Sequence, residues 1–182
     1  AETVDIAVRL ALSLVEQGAD IVDIGGESTR PGSVPVDEET EMARVLPVIR
    51  QLRAQCDTPI SIDTYKSTVA RAALDAGADM VNDVWGLQMD PSMAPLVAQR
   101  SVPLVIMHNR SKPKDAVQQE RLGGRYVGSQ YVDLLPDIIS ELGQQVGVAL
   151  AAGIARDRLI IDPGIGFGKT VEQNLKLLNH LD

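Results

Sequence analysis

The chain has 182 residues and a formal net charge of −8. Hydrophobic residues make up 45% and aromatics only 3%, so a core must be built from Val, Ile, Leu, Ala and Met. The acidic balance argues against a general electrostatic grip on nucleic acid, and the shortage of rings argues against single-strand stacking platforms. The length suits one domain, residues 1–182, with a sizeable core. The single cysteine, Cys56, excludes an intrachain disulfide and a cysteine-based metal cluster. It fits a reducing, cytoplasmic setting. No run approaches the ~18 apolar residues of a membrane helix, and no signal peptide is visible. No membrane partner is expected.

The first residues read as a helix already under way, with Val4, Ala7, Val8, Ala11, Leu12 and Val15 on one face. Ala19–Ile24 is then a strand. A second helix runs from Glu38 to Ala54 on the repeat Met42, Val45, Leu46, Ile49 and Leu52, and a strand follows at Pro59–Ile62. Ser67 to Ala76 is an Ala-rich helix leading to the strand Asp79–Val84. Asp90 and Pro91 are expected to cap and open another helix, before the strand Val102–Met107. Arg110–Gly124 lacks an apolar period, holds Pro113 and the pair Gly123-Gly124, and is expected to be a loop. A long helix is expected over Tyr126–Ala152, stopped by Gly153. The strand Arg158–Ile161 and a helix over Thr170–Leu181 complete the chain.

Short Val/Ile-rich runs between helices are the mark of a parallel sheet covered on both faces. The fold class expected is α/β, of the (β/α)8-barrel type. Only about five βα units are present, against the ~200 or more residues that a closed barrel needs. Each strand ends in polar residues: Asp23, Asp63, Asn82 with Asp83, His108 with Asn109, and Asp162. One such Asp is explained as well by capping a helix or binding loop amides as by binding a ligand. Taken together they favour a ligand, because barrel strands end at a single mouth. Clustered carboxylates and an amide suit a ring edge rich in N–H donors, each charge-assisted bond contributing roughly 1.5–3 kcal/mol.

The most distinctive segment is Asp23-Ile-Gly-Gly-Glu-Ser-Thr-Arg-Pro-Gly, residues 23–32. Its glycines allow close backbone approach, Ser28 and Thr29 supply hydroxyls, and Arg30 supplies a charged fork. An ordinary surface loop remains the alternative. The second segment, Asp162-Pro-Gly-Ile-Gly-Phe-Gly-Lys-Thr, places loop amides at the start of a helix. A nucleoside-triphosphate loop is rejected, since Pro163 stands where that motif needs glycine. Phe167 either packs in the core or lines a pocket, and Met107 either floors a cavity or packs in the barrel. Lys66 reads as solvated or structural rather than catalytic. His108 and His180 have no metal-ligand spacing, and His108 reads as structural ahead of general base.

Five segments in order resemble the dihydropteroate synthase family: GADIVDIGGESTRPG at 18–32, SIDTYK at 61–66, VNDV at 81–84, PLVIMH at 103–108 and LIIDPGIGFGK at 159–169. The resemblance covers essentially the whole chain. It implies that Asp63, Asn82 and Asp162 bind a pterin edge with Met107 beside the ring. It implies a p-aminobenzoate pocket of Thr29, Arg30, Pro31, Gly166, Phe167 and Lys169, with Thr29 and Arg30 as the catalytic candidates. It also implies small-molecule substrates, Mg²⁺, a C–N bond-forming transferase of folate biosynthesis, sulfonamide sensitivity and a homodimer. The family's first strand carries an Asn that helps bind Mg²⁺; its last strands carry a Ser-x-Lys and an Arg-x-His. None of these is matched here, so no metal ligand is assigned and little or no turnover is expected of these 182 residues alone. Two alternatives stay open: a methyltetrahydrofolate-binding barrel of corrinoid methyltransferases, and a non-catalytic truncated barrel.

Overall fold

The computed structural model describes residues 2–29, 34–111, 116–117, 125–126 and 130–181. Its elements, in chain order, are α1 (Glu2–Glu16), β1 (Val22–Gly25), α2 (Glu38–Arg53), β2 (Ile60–Asp63), α3 (Ser67–Ala76), β3 (Met80–Asp83) and α4 (Met93–Arg100). Then come β4 (Leu104–Met107), the short β5 (Ala116–Val117) and β6 (Arg125–Tyr126), α5 (Leu134–Ala151), β7 (Leu159–Asp162) and α6 (Val171–Leu178). The main sheet has five parallel strands in the order β1-β2-β3-β4-β7. That sequential order is the wall of a βα barrel; a doubly wound sheet would reverse direction at a switch point. β5 and β6 form a separate antiparallel pair.

Register decides what each strand presents to either side. Residues two apart on a strand share a face, and so do residues paired across a parallel ladder. Ile60, Ile62, Val81, Leu104 and Ile106 therefore share one face, and all are fully buried in the main core with Val45, Ile49 and Leu52 of α2. Each such side chain contributes about 1.5–3 kcal/mol relative to an exposed one. The opposite, inner face carries Asp23, Ser61, Asp63, Asn82, Met107 and Asp162.

The ends of α2 show why this segment is helical. Asp37 accepts a 2.7 Å hydrogen bond from the Thr40 amide, Glu38, Glu39 and Glu41 fill the first turn, and Arg50 and Arg53 fill the last. In α6, Thr170 and Gln173 form a reciprocal capping box. Gly153 follows α5 with φ +96°, as expected of a helix stop.

Two helix starts differ from expectation. α5 begins at Leu134, not Tyr126: the Val132 amide donates to the Asp137 carboxylate at 3.1 Å, and Arg110 holds the Gln130 carbonyl at 2.5 Å. These bonds hold residues 130–133 outside the helix. The Asp90 carboxylate does not cap α4, which starts at Met93 behind Ser92. It accepts from the Ser67 amide at 2.7 Å, so it caps α3, and from the Ser92 amide at 2.8 Å. Most of the loop expected at Arg110–Gly124 lies outside the described residues. The apolar face of α5, through Leu134, Ile138, Leu142 and Ala149, packs into the main core. No helix among the described residues is long and apolar enough to cross a membrane.

Candidate functional site

The C-terminal strand ends converge on Asp63. It pairs in register with Gly25 on one side and Asn82 on the other. A Cβ at Gly25 would stand 3.3 Å from Asp63 Oδ2, so glycine there leaves the carboxylate room. Asn82 Nδ2 donates to Asp23 Oδ2 at 3.2 Å, which places a second carboxylate on the same face. Asp63 Oδ1 is buried with no hydrogen-bond partner. Burial, and then the neighbouring carboxylates of Asp23, Glu41, Asp83 and Glu27, push the Asp63 carboxyl up to about 7. A buried acceptor left unmatched is costly unless something donates to it.

Asp162 lies further round the wall, paired with Met107. Its Oδ1 accepts from the Gly164 amide at 2.7 Å, so it serves the loop and still faces inward. Met107 is 3% exposed and clusters with Val84 and Trp85, with Tyr65 and Phe167 packed at the edge. Of the two sequence readings of Phe167 and Met107, the structure shows packing, and it places that packing at the strand ends. Tyr65 and Trp85 meet edge to face with centroids 4.9 Å apart, and Trp85 Nε1 donates to the Ser111 carbonyl at 2.8 Å.

Asp83 belongs elsewhere. One residue beyond Asn82, it points to the other side of the strand and accepts from the Trp85 amide at 3.0 Å and the Leu87 amide at 2.8 Å. Burial raises its carboxyl to about 6, against the pull of these amides. Its role is to hold the tight turn in which Gly86 and Leu87 adopt φ of +56° and +68°.

His108 is 1% exposed, with Nε2 3.0 Å from Glu141 Oε2. Burial and the nearby Lys169 lower its pKa. Arg110 forks onto Glu141 and Asp137 and lies over the Tyr131 ring at 4.2 Å. His108 is thereby tied to α5, as its structural reading anticipated.

In the loop after β7, Lys169 Nζ donates to the carbonyls of Gly164 (2.8 Å), Phe167 (3.1 Å) and His108 (3.4 Å). Burial pulls its pKa down to about 8. Lys169 therefore knits the loop that carries Gly166 and Phe167. Gly164, at φ +71°, passes so close to His108 that an added Cβ would stand 2.0 Å from its carbonyl oxygen. The Gly166 amide, at φ +87°, donates to Asn174 Oδ1 at 2.8 Å.

The loop after β1 is described as far as Thr29, which is half-buried; Arg30 and Pro31 lie outside the described residues. The acidic partners of Lys66, Glu27 and Glu41, escaped sequence reasoning, as did Trp85, Arg110 and Glu141. Glu41 did leave a signal, since it occupies the apolar stripe Glu41, Val45, Val48, Leu52. Among the described residues no group of three or more His, Cys, Asp or Glu could hold a metal ion. A cavity of about 620 Å³ lies between α1, β1 and α2, with Leu10, Leu14, Val22 and Val48 in its walls. It adjoins β1, the edge strand of the described sheet; the convergent polar groups around Asp63 make the better ligand site.

The profile of the pterin-binding enzyme family matches residues 1–182. A dihydropteroate synthase from Bacillus subtilis is 44% identical over 181 residues, covering 100% of this chain and 58% of that protein. Among solved structures, a Clostridium difficile dihydropteroate synthase in the presence of pteroic acid superposes with a TM-score of 0.86 at 42% identity, over 98% of this chain and 62% of that one. The Xanthomonas albilineans enzyme with 4-aminobenzoic acid gives 0.86 at 44% identity, over 98% and 59%. This chain thus spans about three fifths of the length of these relatives. With sequential parallel strands, an inward-facing Asp63–Asn82–Asp162 set and a profile match over its whole length, the chain belongs to the pterin-binding enzyme family.

Proposed function

We propose that the protein containing these residues is a dihydropteroate synthase. It joins 6-hydroxymethyl-7,8-dihydropterin diphosphate to p-aminobenzoate in folate biosynthesis. The observation that carries this reading is the buried, unpartnered Oδ1 of Asp63, flanked on one face by Asn82, Asp23 and Asp162. A pterin edge offers N–H donors alongside acceptors. Asp63 and Asp162 would accept from the donors, Asn82 would serve the mixed edge, and Met107 would pack beside the ring.

In the reaction the arylamine nitrogen attacks the methylene carbon. A C–N bond forms, the C–O bond to the diphosphate breaks, pyrophosphate leaves with the bonding pair, and the nitrogen gives up a proton. The amine needs little activation. The residues here bind and orient the pterin, which holds the methylene in line for attack. Thr29, Arg30 and Pro31, with Gly166, Phe167 and Lys169, are proposed to form the p-aminobenzoate pocket, and Thr29 and Arg30 to act catalytically. Support comes from Lys169, which fixes the carbonyls on both sides of Gly166, and from Phe167, which packs against the Met107 cluster.

Mg²⁺ belongs to the proposal through the diphosphate. The described residues do not fit a site for it, and no step here runs through the metal. A cytoplasmic location is proposed on the single, free Cys56. Sulfonamide sensitivity is proposed on the p-aminobenzoate pocket. A homodimer is proposed on Ile139 and Val148, which are exposed on α5. No interaction with nucleic acid is proposed, given the charge of −8. The test is pyrophosphate release by the full-length protein given pterin diphosphate and p-aminobenzoate. Dihydropteroate formation is expected. Binding of methyltetrahydrofolate with no condensation would assign the site to methyl transfer instead.

A further inference from the structure

We propose that Lys66 is a positioning residue that fixes the Gly25–Thr29 exit from β1, and so sets where Thr29 stands relative to Asp63. Lys66 follows Asp63 by three residues and immediately precedes α3. Its Nζ donates to Glu27 Oε2 at 2.5 Å, to Glu41 Oε2 at 2.6 Å and to the Val36 carbonyl at 2.7 Å. Every N–H of the ammonium is thereby used. The Lys66, Glu27 and Glu41 side chains are 12%, 6% and 1% exposed. Tyr65 adds a hydroxyl that donates to Glu27 at 3.2 Å.

These partners belong to separate parts of the chain: Glu27 to the exit from β1, Val36 and Glu41 to the start of α2, and Lys66 to the junction of β2 and α3. One ammonium therefore registers all three beside Asp63. Burying three charges is a poor way to gain stability, since apolar replacements of like volume often do as well or better. What such a cluster supplies is a unique arrangement. The backbone agrees: Arg44 Nη1 donates to the Gly26 carbonyl at 2.8 Å, and a Cβ at Gly26 would lie 2.9 Å from Glu41 Cγ and Val45 Cγ1. The β1 exit lies flat on α2, and Lys66 is the cation that locks it there.

The inference rests on the dihydropteroate synthase reading for its kinetic arm alone. The test uses the full-length protein and the double variant Lys66→Met with Glu41→Gln. This keeps the local net charge and leaves Glu27 alone ionised, with the Tyr65 hydroxyl as its donor, whereas Lys66→Met alone would strand Glu27 and Glu41 together. Misplacement near a reacting centre can cost up to about a hundredfold, so the KM for p-aminobenzoate should rise at least about tenfold while that for pterin diphosphate stays within about threefold. Lys66→Arg should restore most of the loss. Amide hydrogen exchange at residues 25–29, read without substrate, should speed by about tenfold or more as local opening becomes easier. Unchanged exchange, or equal rises in both KM values, overturns the proposal. A wild-type protein that makes no dihydropteroate overturns the functional reading instead, and the exchange measurement still decides the anchor.

Discussion

Replacing Asp63 by Asn should stabilise the free protein and abolish its pterin binding. The folded protein holds a proton on Asp63 up to about pH 7, whereas an ordinary Asp releases it near 3.8. Between those values the unfolded state binds fewer protons, so stability falls as pH rises through this window and the full penalty applies above it. At about 1.36 kcal/mol per pKa unit, the displacement corresponds to a ceiling of about 4 kcal/mol. Asn removes the charge and keeps the shape. Like the protonated carboxyl it leaves a buried oxygen without a donor, so that cost cancels and the expected gain at pH 8 approaches this ceiling, about 3–4 kcal/mol. Near pH 4 the gain should vanish. Urea unfolding of both proteins at pH 4 and pH 8, compared at equal m, reads this directly. An Asn variant that is less stable at pH 8, or that shows the same difference at both pH values, would refute the reasoning.

The same carboxyl sets the pH dependence of binding. If pterin donors need the ionised form, affinity should fall about tenfold per pH unit below about 7 and level off above it; calorimetry from pH 5 to 8 checks this. Gly164→Ala forces a Cβ to 2.0 Å from the His108 carbonyl at φ +71°. It should cost about 3 kcal/mol or more, visible as a lowered thermal midpoint or failure to fold. Trp85, the only tryptophan, packs with Met107 and Phe167. Its fluorescence should be quenched by bound pterin, and an unchanged emission at saturation would place the ligand elsewhere.

The strands were readable because buried parallel strands must be Val- and Ile-rich, and all five appear where such runs occur. Their ends were less readable: β2 ends at Asp63 because ladder hydrogen bonds, not hydropathy, set the limit. Tyr131 continues the apolar pattern of α5, but Arg110 and Asp137 hold residues 130–133 out of the helix, and that competition is tertiary. The strand-end acids were visible as a group, yet alternation along β3 separates Asn82, which faces the site, from Asp83, which holds a turn. Lys66 could not be resolved from sequence because its partners lie 25 and 39 residues away. Family resemblance alone implies a pocket role for Lys169; its three carbonyl partners, one of them 61 residues away, are tertiary and not legible in the sequence.

Calorimetric titration of the full-length protein with 6-hydroxymethylpterin, beside its Asp63→Asn and Asn82→Ala variants, tests the inner face most directly. One pterin per chain, proton release on binding at pH 6, and loss of binding in both variants are expected. Wild-type-like affinity in either variant, or uptake of methyltetrahydrofolate with no pterin bound, would contradict it.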